Sequence, residues 1–274
     1  MKRSLARQLP ILALILVLLG ATFVPGLVPM VDSVWASQPQ AQQQEGDTMT
    51  IVLVHGAWAD GTSWQSIIPR LQKSGYKVVA VQNPLTSLAD DVATTKRVID
   101  AQTGPVVVVG HSYGGAVMTG AAAGNPNVKA LVYIAAFAPA AGEPLGALLG
   151  EYPNDLPSAF VPDSAGFVYL DPAKFHEFFA ADVSASKAAV MAATQKPANG
   201  HIFEESLEAA AWETIPSWAL ISTEDKTLNP DMIRFYAERM GATTTEIKSS
   251  HVSFISHANV VIKLIEDVVE ATME

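Results

Sequence analysis

The chain lacks cysteine entirely and has few charged residues, with Asp, Glu, Lys and Arg at only 16% of its 274 positions. Without cysteine it forms no disulfide, no thiolate zinc site and no lipid anchor on an N-terminal Cys. Its 17 basic residues are outnumbered by 27 acidic ones and form no cluster, so we expect no nucleic-acid partner, because phosphate binding needs grouped Lys and Arg. Hydrophobic residues make up 49%, and the length suits one α/β domain with a full core.

The first 48 residues differ in composition from the rest. Residues 1–36 join a basic start to an apolar run over 11–24 and end in Val-Trp-Ala, a pattern that predicts a signal peptide cleaved after Ala36. The alternative is a retained membrane anchor, since apolar character continues to Val31. Residues 37–48 are polar and Gln-rich and predict a flexible linker. We therefore expect an exported protein, periplasmic or secreted, that meets a membrane only through residues 1–36 if they are not cleaved.

From Met49 onward, short apolar runs alternate with helical patterns. Predicted strands cover residues 50–55, 77–81, 105–110, 128–139, 217–223 and 244–249. Predicted helices cover residues 63–75, 87–102, 113–124, 229–241 and 257–273. The β-branched runs show no in/out alternation, as expected when helices cover both faces of a sheet. Residues 49–274 therefore predict an α/β domain with a mostly parallel, doubly wound sheet.

The alternation stops between residues 140 and 212. Short helical segments over residues 172–183 and 184–195 lie in this stretch, and no convincing strand is predicted there. A stretch of this length is too long for a loop. We expect a helical lid, inserted over the carboxyl ends of the strands, where α/β sheets place their sites.

The sequence Gly-His-Ser-Tyr-Gly at residues 110–114 falls between a predicted strand and a predicted helix. A serine at a tight strand-to-helix turn is the nucleophile elbow of acyl-transfer enzymes. Glycines at 110 and 114 have a steric reason there, because a Cβ at either position would meet the neighbouring backbone. The helix that follows points its free amides toward developing negative charge. The pattern predicts Ser112 as a nucleophile.

A serine nucleophile needs a base and an acid, in the chain order Ser, Asp or Glu, then His. Glu224 and Asp225 both follow a late predicted strand, and either could supply the acid. Glu143, after the fourth predicted strand, is a weaker candidate. His251 directly follows the last predicted strand, whereas His257 falls where the last helix begins, and this favours His251 as the base.

Acyl transfer also needs donors for an oxyanion. The backbone N–H of Tyr113, the residue after the nucleophile, is one candidate. The loop after the first predicted strand, HGAWADGTSW at residues 55–64, places the amide of Ala57 or Trp58 near the same point.

Four segments together carry a resemblance to a known family: VLVHGAW (52–58), VGHSYGG (109–115), STEDKTLNP (222–230) and SSHVSFISH (249–257). With them the chain resembles the α/β-hydrolase superfamily over residues 50–274. It is most similar to the branch of bacterial esterases, plant methyl-ester esterases and hydroxynitrile lyases. The resemblance implies a catalytic triad of Ser112, Asp225 and His251, with the amides of Ala57 and Tyr113 as oxyanion donors.

The resemblance further implies a small-molecule ester as substrate and no metal or cofactor. The lyases of that branch carry Thr where this chain has Gly56 and Lys where it has Val252, which favours hydrolysis. The alternatives are a lyase, perhydrolase or acyltransferase of the same fold, or a non-catalytic protein that binds a ligand under the lid. Four aromatic residues are candidates for the substrate pocket, namely Trp58, Phe167, Phe203 and Trp212.

Overall fold

The computed structural model describes residues 48–273, so the predicted signal peptide and the linker up to residue 47 lie outside the described residues and stay predictions. The core is a six-stranded sheet in the order β2-β1-β3-β4-β8-β9, with every neighbouring pair parallel. Its strands are β1 (Thr50–Val54), β2 (Lys77–Ala80), β3 (Val106–His111), β4 (Val128–Ile134), β8 (Ser217–Ser222) and β9 (Thr243–Ile247). The predicted parallel sheet is confirmed.

The strand order reverses between β1 and β3, because the chain runs first to β2 on one side and then to β3 on the other. In open α/β sheets, sites lie at the carboxyl ends of the strands beside such a reversal. The first loop, after β1, and the elbow, after β3, therefore meet at this point. Both strands are completely buried, which fixes the backbone that carries the two loops.

Helices flank the sheet and form part of the lid. They are α1 (Ile68–Lys73), α2 (Leu88–Asp100), α3 (Tyr113–Ala121), α4 (Pro172–Phe179), α5 (Ala185–Thr194), α6 (Pro230–Met240), α7 (Ser253–Ser256) and α8 (Ala258–Met273). Helix α2 begins after Ser87, whose hydroxyl accepts from the amide of Asp90, and α6 ends at Gly241 with φ of 61°. Within residues 48–273, no helix combines the length and the apolar character needed to cross a bilayer.

The lid, inserted between β4 and β8, contains more than helices. It includes an antiparallel sheet of β5 (Phe160–Pro162), β6 (Phe167–Leu170) and β7 (Ala198–Asn199). The expectation of a lid without strands is therefore wrong. Asp163 closes the turn between β5 and β6, accepting from the amides of Ala165 and Phe167 at 2.8 and 2.9 Å. Strands of two to four residues are too short to show a period-two pattern in the sequence.

The two ends of the lid lie side by side, next to the core. Three backbone hydrogen bonds join them, from Gly142 to Leu207 (2.8 Å), from Leu145 to Glu205 (3.0 Å) and from Gly146 to Phe203 (2.8 Å). Arg239 of α6 adds a link to the core, with an ion pair to Glu143 at 2.8 Å. The lid thus leaves and rejoins the sheet at one place.

Candidate active site

Ser112 lies on a strained turn between β3 and α3. Its backbone has φ of 54° and ψ of −126°, a conformation that costs a non-glycine residue about 1–3 kcal/mol. Neighbouring backbone groups hold it there, because its N–H donates to the carbonyl of Ile134 at 3.2 Å. Its carbonyl in turn accepts from the amides of Gly115 and Phe137 at 3.0 and 3.1 Å. The turn presents the Ser112 side chain to a cavity under the lid.

The glycines on either side of Ser112 have no room for a side chain. A Cβ on Gly114 would lie 2.4 Å from the carbonyl oxygen of Val54, and one on Gly110 would lie 2.7 Å from that of Gly114. The start of α3 therefore sits directly against the end of β1, which brings the first loop to the elbow.

His251 and Asp225 form a buried pair. The Nδ1 atom of His251 lies 2.6 Å from Oδ2 of Asp225, while Oδ1 accepts from the amides of Thr227 and Leu228 at 2.7 and 3.0 Å. Because a carboxylate only accepts, Nδ1 is the donor in this contact, and in the neutral tautomer of the ring Nε2 then keeps a lone pair. Nε2 is buried and has no hydrogen-bond partner among residues 48–273, Ser112 included.

The other candidates for acid and base lie elsewhere. Glu224 points to the surface, where it pairs with Lys248 at 3.4 Å. Glu143 is engaged by Arg239 at the base of the lid. The side chain of His257 is 38% exposed, and its ring does not contact the buried pair.

Two further buried histidines support the elbow. His55 accepts from the amide of Asn83 at Nε2 (3.0 Å), so its Nδ1–H donates to the carbonyl of Gly56 (2.9 Å), and burial lowers its pKa to about 4. His111 donates from Nε2 to the carbonyl of His251 at 2.9 Å, and their rings lie 4.5 Å apart. Burial, with the neighbouring His251, holds the pKa of His111 well below its ordinary value. Both side chains are therefore neutral at neutral pH, and His111 links the elbow to the loop that carries His251.

Ala57 and Tyr113, whose backbone amides are the predicted oxyanion donors, line the same cavity as Ser112. Neither amide donates to a backbone carbonyl within residues 48–273. A Cβ on Gly56 would lie 2.8 Å from the Cβ of Ser112, which shows how closely the first loop packs against the elbow. The two residues that carry the predicted oxyanion donors thus lie beside Ser112, and their amides make no backbone hydrogen bond within residues 48–273.

The Tyr113 ring has a role in structure that the sequence analysis missed. Its hydroxyl donates to Oδ2 of buried Asp91 at 2.7 Å, and Oδ1 of Asp91 accepts from the amide of Leu85 at 2.8 Å. Burial raises the pKa of Asp91, although these two hydrogen bonds oppose that effect. In the sequence, an acid in the first turn of α2 indicates only a favourable helix-dipole position. The contact ties the start of α3 to α2.

The cavity beside Ser112 has a volume of about 480 Å³. Apolar side chains dominate its walls, among them Trp58, Phe137, Leu149, Leu156, Phe160 and Phe203. Asn154 and Thr227 contribute polar groups, and among residues 48–273 no charged side chain lines it. The cavity therefore fits an uncharged, largely apolar group.

Two of the four predicted pocket residues lie outside this cavity. Trp58 and Phe203 line it, whereas Phe167 and Trp212 do not. Phe167 belongs to β6, and the indole of Trp212 donates to the carbonyl of Pro139 at 3.0 Å. Composition marks aromatic residues as candidates, but the path of the lid backbone decides which of them face Ser112.

A second cavity of about 350 Å³ shares only Trp58 with the first and contains none of Ser112, Asp225 and His251. It lies between the first loop, helix α5 and the segment after His251. The Trp58 indole N–H donates to the carbonyl of Val168 in the lid at 2.9 Å. The Trp58 side chain thus lies between the two cavities and lines both.

Comparison with known proteins agrees with this architecture. Residues 51–264 match the alpha/beta hydrolase family, and the chain belongs to it. The resemblance noted in the sequence is thereby confirmed.

Individual relatives carry hydrolase and esterase names. The chain is 34% identical over 131 residues to the carbendazim hydrolyzing esterase of Nocardioides sp., a match that covers 43% of this chain and 51%, about half, of that protein. It is 26% identical over 231 residues to salicylic acid-binding protein 2 of Nicotiana tabacum, covering 73% of this chain and 88% of that protein. The crystal structure of polyneuridine aldehyde esterase matches with a TM-score of 0.71 at 19% identity, over 81% of this chain and 99% of that one, a likeness of fold.

Proposed function

We propose that the protein is a serine hydrolase that cleaves carboxylic esters through an acyl-enzyme. The observation that carries the proposal is a strained Ser112 that lines the cavity, together with a buried His251–Asp225 pair whose Nε2 has no hydrogen-bond partner within residues 48–273. The esterase and hydrolase names of the relatives support the same reaction class.

In this mechanism the Ser112 hydroxyl attacks the ester carbonyl and His251 takes the hydroxyl proton at Nε2. Asp225 keeps the other ring nitrogen protonated and stabilises the charged ring that forms. The amides of Ala57 and Tyr113 donate to the oxygen that becomes negative in the tetrahedral intermediate. His251 then protonates the leaving alcohol, and water repeats the cycle on the acyl-enzyme.

The cavity walls indicate the class of acyl group. Because no charged side chain of the described part of the chain lines the 480 Å³ space, an acyl group with a free carboxylate or ammonium would lose its hydration without gaining an ionic partner there. We therefore propose neutral, apolar or aromatic acyl groups as substrates.

The test of the mechanism is replacement of the nucleophile. Ser112→Ala is expected to lower kcat on a p-nitrophenyl ester by roughly four orders of magnitude while leaving the thermal unfolding transition in place. A fluorophosphonate probe should form one adduct with the wild-type chain, located at Ser112 by peptide mass spectrometry. Esterase activity of the variant within about tenfold of wild type would refute the proposal.

The same reagents separate the alternatives. A non-catalytic ligand-binding protein would give no adduct at Ser112. A perhydrolase or acyltransferase would give a peracid or a new ester when the reaction contains peroxide or an added alcohol, whereas a hydrolase gives the free acid.

A further inference from the structure

One short stretch of the lid contacts the His251 ring and the two loops that carry His251 and Asp225. The carbonyl of Phe178, near the end of α4, accepts from the hydroxyl of Thr227 in the loop that carries Asp225, at 2.8 Å. The ring of Phe179 stands edge-on to the ring of His251, 5.1 Å away. Three residues further along is Asp182, in the loop between α4 and α5.

The Asp182 carboxylate binds the chain segment on both sides of His251. It accepts four hydrogen bonds, from the hydroxyl of Ser249 (2.9 Å), the amide of Ser250 (3.0 Å), the hydroxyl of Ser250 and the hydroxyl of Ser256 (2.8 Å). These donors precede and follow His251 in the chain. One lid carboxylate thus holds the segment 249–256 at both ends.

The carboxylate is charged when it does so. Burial alone raises the pKa of Asp182, but the hydrogen bonds from Ser250, Ser256 and Ser249 outweigh it and leave the pKa below its ordinary value. Its side chain remains 23% exposed, so water screens the charge only in part. Hydrogen bonds to an ionised acceptor are shorter and stronger than those between neutral groups.

The segment 249–256 also contacts the loop that carries Asp225. The carbonyl of Ser249 accepts from the amide of Glu224 at 3.1 Å, and Glu224 directly precedes Asp225. Ser250 directly precedes His251. A shift of Ser249 and Ser250 would therefore move the imidazole relative to its carboxylate.

We propose that Asp182 is a positioning residue that holds the segment 249–256 and, through it, sets the His251 imidazole against Asp225 while the lid is seated. The proposal rests on the serine-hydrolase function above. It gives the lid a second task besides forming the cavity wall. An active base then depends on a lid residue that touches neither the substrate nor the reacting atoms.

The experiment compares Asp182→Ala with Asp171→Ala. Asp171 is also a lid aspartate, but it caps α4 by accepting from the amide of Ala173 at 2.9 Å and makes no hydrogen bond to the segment 249–256. We expect Asp182→Ala to lower both kcat and the rate of Ser112 labelling by a fluorophosphonate about 10- to 100-fold, with KM changed less than about threefold. Asp171→Ala should label within about threefold of wild type.

A spectroscopic readout separates positioning from general loss of structure. The proton between His251 Nδ1 and Asp225 should give a low-field NMR resonance in the wild-type protein, and we expect it to broaden or vanish in Asp182→Ala. Asp182→Asn keeps one acceptor oxygen, so it should recover part of the labelling rate. A folded Asp182→Ala that labels at the wild-type rate with the resonance intact overturns the proposal. Equal damage in Asp171→Ala does so too.

If Asp182→Ala does not fold, the double variant Ser250→Ala, Ser256→Ala removes two donors and leaves the carboxylate with the others. Slower labelling of that folded variant supports the proposal, and wild-type labelling overturns it. Failure of the proposed function is a different result: the wild-type chain itself would then give no adduct and no ester cleavage, with Ser112→Ala as the matched blank.

Discussion

At the scale of single residues, burial and one contact decide what each histidine can do. Asp225 accepts from Nδ1 of His251, and the other ring nitrogen, Nε2, has no hydrogen-bond partner within residues 48–273. His111 has its Nε2–H committed to a carbonyl, and burial keeps it neutral. His257 is partly exposed and binds the hydroxyl of Ser256 at 3.0 Å. The same side chain therefore serves as a candidate base in only one of these three places.

The pair His251 and His257 offers a matched comparison, since both lie in the segment after β9. His251→Ala should reduce kcat by roughly 1,000-fold or more, because the Ser112 hydroxyl loses its proton acceptor. His257→Ala should stay within about threefold, because Asp182 keeps its four donors. Steady-state hydrolysis of one p-nitrophenyl ester measures both. Equally severe losses would show that the base has been assigned to the wrong histidine.

At the scale of elements, the lid forms one wall of the cavity and the sheet the other. Leu149 and Phe160 come from the lid, whereas Ser112 and Phe137 follow β3 and β4 of the sheet. Chain-length preference should therefore be adjustable from the lid without touching the elbow.

Leu149→Trp adds volume to the lid wall of the cavity. We expect kcat/KM to fall at least about tenfold for long acyl chains and to stay within about threefold for the acetyl ester, because only long chains need that space. A series of p-nitrophenyl esters of increasing acyl length measures the shift. Val190→Trp is the control, since Val190 is in the lid but lines the second cavity. A uniform loss across the series in Leu149→Trp would contradict the assignment.

At the scale of the whole molecule, a histidine that burial keeps uncharged lies directly after β1, where the strand order of the sheet reverses. His55 is fully buried, and its pKa is lowered from 6.5 to about 4. Unfolding returns the ring to water, where it binds a proton below pH 6.5. The stability from this group is present above pH 6.5 and is lost as the pH falls toward 4.

Acid should therefore weaken the fold. The difference between the two pKa values corresponds to about 3 kcal/mol of unfolding free energy lost between pH 6.5 and pH 4. Urea unfolding at several pH values measures it. His55→Gln should be less stable at pH 7 but should lose less stability on acidification, whereas a variant at exposed His201 should follow the wild type. Parallel curves for wild type and His55→Gln would contradict the argument.

The structural features that the sequence predicted well are those determined by local sequence patterns. Strand runs, helix caps and the tight turn at 110–114 depend on neighbours in the chain, and the structure has Ser112, Asp225 and His251 each beyond the end of a strand, as expected. The short lid strands and the exclusion of Phe167 from the cavity depend on the path of the lid backbone instead. Asp182 joins residues 67 or more positions apart, and no local pattern marks such a contact.

The paired ends of the lid have a consequence for how the molecule can change. Because residues 142–146 and 203–207 are hydrogen-bonded to each other beside the core, the chain between them is a loop closed at its base. Insertions or replacements between 147 and 202 alter the length of that loop while its ends stay where they are, and longer loops cost little extra closure entropy. The lid is therefore a replaceable insert whose two ends have fixed positions. Replacing the segment between 147 and 202 would change what the cavity accepts, while the sheet and the elbow keep their register. The new segment must bring its own carboxylate to Ser249, Ser250 and Ser256.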